Sequence, residues 1–234
     1  MIRANTMLHA LDFNADLGEG YPNDSALMRI VTSVNIACGA HAGSRDTMIE
    51  TVRLARQHGV RLGAHPGYPD RANFGRNEKI ISASELYVEL QKQVLALEEI
   101  TQSFNVQLRY IKPHGAMYHQ CARDATLAMP LVELAKQLNL AIMGQPDTVL
   151  ETATQAAGLQ YIREGFADRR YQPDGTLTPR SNPAAMLRDP ILAAKQVRWL
   201  IDTQGVESIC VHGDEPDAVQ FLQQLQAQLA GEKA

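Results

Sequence analysis

The residue pattern predicts an α/β chain built as a seven-stranded parallel β/α barrel, closed or distorted, and three observations predict it. Short apolar runs alternate with longer stretches of helical periodicity, the pattern of βαβ units and a parallel sheet. Nearly every apolar run ends in a connection of Gly, Pro and ionisable residues. Polar groups therefore leave the strands all round rather than at one switch point, which favours a ring over an open doubly wound sheet. Neither G-x-G-x-x-G nor G-x-x-x-x-G-K-[ST] occurs, so nucleotide folds of those kinds lose weight.

Leu11 to Asp16 reads as the first strand, breaking at Leu17-Gly18-Glu19-Gly20. A short polar helix over Ser25–Val31 leads to a second strand, Ser33–Ala37, which ends in CGAHAG. Ser44 can cap a helix reaching His58, where Met48, Ile49, Val52 and Ala55 repeat at helical spacing and Gly59 closes it. The third strand, Val60–Ala64, delivers the connection HPGYPDRANFGR. Ser82 with Glu85 is a capping box for a long helix marked by Leu86, Leu90, Val94, Leu97 and Phe104. Gln107–Ile111 is the fourth strand, ending in Lys-Pro-His-Gly. A helix over Asp124–Leu138, bent at Pro130, precedes a fifth strand, Leu140–Met143. Asp147–Ala157 is expected to be helical, and Leu159–Ile162 to be the sixth strand, ending in REGFADRRY. A polar loop over 172–183 gives way to a helix over Pro183–Gln204, and Ser208–Val211 is the seventh strand. Asp214 is placed to cap a last helix.

At 234 residues the chain can bury one full core, and residues 11–234 are expected to form a single barrel domain. Residues 1–10 carry no secretory h-region and are expected to be a flexible extension. Hydrophobic residues make up 45% and charged residues 21%, an ordinary balance for a soluble domain, and no apolar run has the length of a membrane span. A net charge of −4 with no basic run argues against nucleic acid as a partner. The three cysteines, Cys38, Cys121 and Cys210, form no CxxC and fit a reducing cytoplasm.

His41, His65, His114 and His212 each follow an apolar strand with Gly or Pro within two residues. Asp16, Glu19, Lys112, Glu164, Asp168 and Asp214 hold corresponding positions. In a parallel barrel all of these reach one crevice, and so many buried charges are unfavourable unless paired or coordinated. Two chemistries fit. Asp16, His41 and His65 can form a His/His/carboxylate site for a divalent metal that activates water. The metal-free option is general acid–base work by a carboxylate and a histidine, drawn from Asp16, His114, Glu164 and Asp214, with Lys112 facing developing oxyanion charge. Glu19 and His212 are read as substrate contacts. Arg71, Arg76, Arg169 and Arg180 sit in polar loops, either as a carboxylate or phosphate clamp or as exposed salt bridges.

DFNADLGEG (12–20), NIACGAHAG (35–43), GAHPGYPDRANFGR (63–76), YIKPHGAMY (110–118), REGFADRRY (163–171), TPRS (178–181) and VHGD (211–214) together resemble the LamB/YcsF family. The resemblance runs from about residue 11 to the last helix. It implies a subunit of an ATP-dependent 5-oxoprolinase, opening 5-oxo-L-proline to L-glutamate with partner subunits of the PxpB and PxpC type. ATP is then a co-substrate, with at least part of its site on a partner. It also implies a barrel similar to the polysaccharide deacetylases, whose Asp/His/His metal site maps to Asp16, His41 and His65. Ala40, Ser44, Gly67 and Tyr68 depart from the family's usual loop sequences, and the segment after Asn182 is short. The alternative reading is a stand-alone metal-dependent deacetylase or amidase.

Overall fold

The computed structural model describes residues 11–231; the expected extension, residues 1–10, lies outside them. Seven strands form a closed parallel barrel in chain order: β1 (Asp12–Leu17), β2 (Ser33–Ala37), β3 (Arg61–His65), β4 (Leu108–Ile111), β5 (Ala141–Gly144), β6 (Tyr161–Phe166) and β7 (Ser208–Cys210). β7 pairs back onto β1, with Asn14 opposite Cys210.

β1 shows why the ring has a polar axis. Its side chains alternate, so Phe13, Ala15 and Leu17 join the hydrophobic layer under the helices while Asp12, Asn14 and Asp16 share the other face. That inner face is satisfied by a ladder of hydrogen bonds. Ser208 Oγ donates to Asp12 (2.6 Å), and Asn14 Nδ2 donates to Ser208 Oγ (2.8 Å). Asn35 Nδ2 donates to both Asn14 Oδ1 and Asp16 Oδ1 at 2.7 Å. Buried polar groups are tolerated when they find partners, and in this ladder only Asn35 Oδ1 is left without one.

The expected distortion sits between β3 and β4, whose register shifts at Leu62/Gly63. A Cβ on Gly63 would lie 2.1 Å from the Tyr110 ring, so only glycine lets that ring cross the strand.

Eight α-helices are found among the described residues: α1 (Asp24–Leu27), α2 (Arg45–His58), α3 (Ala83–Ser103), α4 (Gly115–Arg123), α5 (Ala125–Leu138), α6 (Val149–Ala156), α7 (Pro190–Gln204) and α8 (Ala218–Gly231). The caps read from sequence are present. Ser44 accepts from Thr47 N–H, Gly59 closes α2 at φ 67°, and Ser82 with Glu85 makes a reciprocal box. Pro130 is accommodated inside α5.

Four expectations are corrected. α4 falls where the sequence suggests a loop, because the Pro113 and Gly115 around its start look like breakers. β6 runs on to Phe166 instead of stopping at Ile162, because Arg163 is paired by Glu151 (2.7 Å) and Glu164 by Lys112 (2.7 Å). α7 begins at Pro190, not Pro183; Asp189 caps it, accepting from Ile191 N–H and Leu192 N–H, and proline at the first helical position needs no N–H partner. Asp214 caps no helix, since α8 starts at Ala218. None of the described helices is long and apolar enough to cross a membrane.

Candidate functional site

The barrel's C-terminal end holds a cavity of about 410 Å³, a size suited to a small molecule. Asp16, Glu19, His65, Arg76, Lys112, His114, Tyr118, Arg169, Arg180, His212 and Asp214 contribute to its lining. A larger hollow of about 770 Å³ opens at the other end, lined by stretches such as Val106–Tyr110 and Leu138–Ala141, and among the described residues no comparable group of acid–base side chains meets there.

The loops after β1 and β2 are locked together before they present anything. Gly43 has φ 75°, and a Cβ on it would meet the Gly18 carbonyl oxygen at 2.5 Å. This close approach holds Glu19 against His41, whose Nε2 lies 3.2 Å from Glu19 Oε1. The same carboxylate oxygen is 3.4 Å from His114 Nδ1 and 3.7 Å from His65 Nε2. His65 Nδ1 meets the Lys112 carbonyl at 2.8 Å, and His114 Nε2 meets the Phe74 carbonyl at 2.8 Å. Only an N–H can satisfy a carbonyl, so those nitrogens carry the protons, and His65 Nε2 faces His114 Nδ1 across 2.9 Å. Burial holds the His41 imidazole down to about 3, with the neighbouring His65 adding to it, and burial pushes His114 well below the ordinary histidine range. Burial, reinforced by the Asp16 and Asp214 charges, raises the Glu19 carboxyl well above its usual value.

Beneath this group lies a second one. Lys112 Nζ reaches Asp16 Oδ1 (2.9 Å) and Glu164 Oε1 (2.7 Å), with Asn14 Oδ1 and Cys210 Sγ each at 3.3 Å. Tyr118 Oη donates to the other Glu164 oxygen (2.9 Å). Burial alone would raise the Asp16 carboxyl, but His65 and Lys112 hold it well below the usual carboxylate range. Burial likewise opposes the Lys112 ammonium, yet Asp16, Cys210 and Glu164 raise it well above an ordinary lysine.

On the β6–β7 side, Asp168 accepts from His212 N–H (2.7 Å) and lies 3.0 Å from His212 Nδ1. The contact fixes the proton on Nδ1 and leaves Nε2 as the free nitrogen. Asp16, Cys210 and His212 bring donor atoms within 4.8 Å of one another. Asp214 Oδ2 takes both Arg76 (3.2 Å) and Arg180 (3.1 Å). Arg169 is 5% exposed, donates to the Thr178 carbonyl (2.7 Å), and its Nε has no partner.

The rim read from sequence therefore meets in one place, with three exceptions in detail. Lys112, expected near the crevice mouth because it ends an apolar strand and is followed by Pro113, is only 2% exposed and lies on the cavity floor between two carboxylates. Arg71 lies apart from the cavity lining, its guanidinium bound to the carbonyls of Gly39 (2.8 Å) and Gly43. Asp16, His41 and His65 do not form the tightest donor group, because Asp16 Oδ1 is taken by Asn35 and Lys112 and Oδ2 stands 3.4 Å from His65. Sequence reasoning missed Tyr118, on the helix it did not expect, and the pairing of Asp168 with His212. Both partners of that pair end strands, and this was the one available signal. The apolar neighbours of Cys210 suggest a plain core residue, whereas its sulfur sits beside Lys112.

A closed β/α barrel with a cavity of paired carboxylates, histidines and a lysine at its C-terminal mouth defines a small-molecule site of the barrel-enzyme class. The chain belongs to the LamB/YcsF family, whose model matches residues 11–234. It is 42% identical to the 5-oxoprolinase A-subunit of Methylococcus capsulatus, over 96% of this chain and 94% of that one. It is 41% identical to the corresponding 5-oxoprolinase A-subunit of Symbiobacterium thermophilum, over 94% and 91%. The crystal structure of a lactam utilization protein from Thermus thermophilus superposes with a TM-score of 0.85 at 34% identity, covering 94% of this chain and 96% of that one. A peptidoglycan N-acetylglucosamine deacetylase domain from Eubacterium rectale shares the fold alone, with a TM-score of 0.51 at 10% identity over 95% and 84%.

Proposed function

We propose that this chain is the lactam-opening subunit of a cytoplasmic 5-oxoprolinase, converting 5-oxo-L-proline and water to L-glutamate as ATP becomes ADP and phosphate. The observation that carries the reading is the near end-to-end likeness to relatives bearing that name, in a chain whose acid–base groups meet in one cavity. A five-membered lactam is a stabilised amide, and phosphorylation of its oxygen makes the carbonyl carbon a competent electrophile. Partner subunits of the PxpB and PxpC type supply at least part of the ATP site, consistent with the lack of a phosphate-binding glycine motif in this sequence. The folding unit is residues 11–234.

His212 is the general base in this reading. Its Nε2 takes a proton from water, the hydroxide adds to the O-phosphorylated carbon, and the ring C–N bond breaks as the imidazolium returns the proton to nitrogen, leaving an acyl phosphate from which a second water releases phosphate and the glutamate side-chain carboxylate. Asp168 holds the ring through this cycle. Arg169 and Arg180 receive the substrate carboxylate, and Arg76 with Asp214 orders that wall. Lys112 pairs with both Asp16 and Glu164 on the floor, where Asp16 supports His65. A divalent metal at the neighbouring histidines would supply Lewis acidity when bound. The test is release of glutamate from 5-oxoproline by this chain with and without partner subunits. ATP-dependent turnover only in the mixture supports the reading, and ATP-dependent turnover by the chain alone overturns the shared site.

One observation favours a second reading, a stand-alone metal-dependent deacetylase or amidase: four metal-ligand side chains converge at the cavity. Turnover of acetylated sugars without ATP decides for it.

A further inference from the structure

We propose that Glu19, His41, His65 and His114 form a four-donor site for a divalent first-row transition ion of the zinc class. Their donor atoms all lie within 4.8 Å of one another. The measured edges of this group are 2.9 Å from His65 Nε2 to His114 Nδ1 and 3.2, 3.4 and 3.7 Å from Glu19 Oε1 to His41, His114 and His65. Donors placed 2.0–2.1 Å from a central ion at tetrahedral angles are separated by about 3.3–3.4 Å, within the span of these edges.

The proton inventory points the same way. His65 and His114 have each spent their N–H on a backbone carbonyl, so their remaining lone pairs face one another across 2.9 Å with no proton between them, and His41 Nε2, 3.2 Å from Glu19 Oε1, is the one ring nitrogen of the group left to donate. One proton relieves one such pair; a cation relieves the whole group. Imidazoles anchored through the remote nitrogen are also how histidine ligands are oriented for metals. His41 is oriented by packing instead. It stacks on His114 at 3.8 Å and 3°, and a Cβ on Gly67 would come within 2.5 Å of its Nδ1. Three imidazoles and one carboxylate suit zinc, cobalt or iron better than magnesium, which prefers oxygen donors and water. Glu19, His65 and His114 line the cavity, giving an ion an entry path. Asp16 is outside the set, bound to Lys112 and Asn35.

What the cage binds can be read without turnover of any substrate. The 234-residue chain, stripped with chelator, is titrated with Zn²⁺, Co²⁺ and Mg²⁺ by calorimetry, and bound metal is measured after gel filtration. One Zn²⁺ per chain, an intense four-coordinate Co²⁺ absorption band and far weaker Mg²⁺ binding are expected. Glu19→Gln and His114→Asn should each weaken Zn²⁺ by more than the roughly 10–100-fold typical of losing an outer partner, while Asp16→Asn still binds one ion. Absence of stoichiometric Zn²⁺ binding, a six-coordinate Co²⁺ spectrum, or Mg²⁺ bound as tightly as Zn²⁺ overturns the proposal. So does loss of the ion in Asp16→Asn with retention in Glu19→Gln. Where a variant fails to fold by circular dichroism, the wild-type stoichiometry and cobalt spectrum still decide.

Discussion

Replacing Lys112 with methionine keeps most of the side-chain volume and removes the one cation held between Asp16 and Glu164. At the observed separations of 2.9 and 2.7 Å, each contact represents about 6 kcal/mol of attraction at an effective dielectric near 20. Desolvation of several kcal/mol per ion offsets much of that, and breaking a buried pair by removing one partner leaves a net loss of about 3–5 kcal/mol. For a chain of this size the loss corresponds to a fall in Tm of roughly 6–20 °C. Its pH dependence follows from which force is removed. In the native protein Asp16 is held well below its ordinary value, so its contribution is present above the unfolded pKa and lost as pH falls through the lower folded one. Without Lys112, Asp16 loses one of the charges that hold it down against burial, so its folded pKa moves up toward the unfolded value. The deficit of Lys112→Met should then be full above the ordinary carboxylate range and shrink as pH falls through it. Thermal unfolding across that range measures it, and Lys112→Met/Glu164→Gln should recover part of the loss because one buried charge is gone. A change under about 0.5 kcal/mol, the same at every pH, would be the behaviour of a solvated surface lysine and would refute the buried-triad argument.

Asp168→Asn should lower kcat in the reconstituted complex by roughly 10²–10⁴ with little change in KM, as a positioning residue for His212 requires; a change confined to Tm would make the contact structural. Arg169→Lys should raise KM for 5-oxoproline about tenfold with kcat near wild type, since lysine lacks the fork that matches a carboxylate, and unchanged steady-state kinetics would remove Arg169 from the substrate wall. Gly63→Ala, whose methyl would meet the Tyr110 ring at 2.1 Å, should cost about 1–3 kcal/mol in denaturant unfolding; a neutral substitution would show that the β3–β4 crossing is not under the steric control described.

Elements whose signal is local were legible in the residues. The cap at Ser44, the capping box at Ser82 and the glycine stop at Gly59 depend on neighbours a few positions away, and they stand where the sequence puts them. The parallel ring was legible too, because polar groups at nearly every strand end argue against the single switch point of an open sheet. What a polar residue does once it arrives was not legible, because that depends on partners far along the chain. Glu164 looked like the start of a loop until Lys112, from another strand, took its charge and let β6 continue. Lys112 looked like a mouth residue beside Pro113, but its ammonium is drawn down between two carboxylates. Arg71 could be read as a clamp or as an exposed salt bridge and is a brace for the His41 loop, tied to backbone carbonyls some thirty residues away. Glu19 and Asp16, three residues apart, fall into different clusters because Asn35 and Lys112 hold one while three imidazoles surround the other. Residue type and spacing determine which groups reach the cavity. Their pairing is decided by distances that only the closed barrel sets, and electrostatic and hydrogen-bond energies change steeply over those few ångströms.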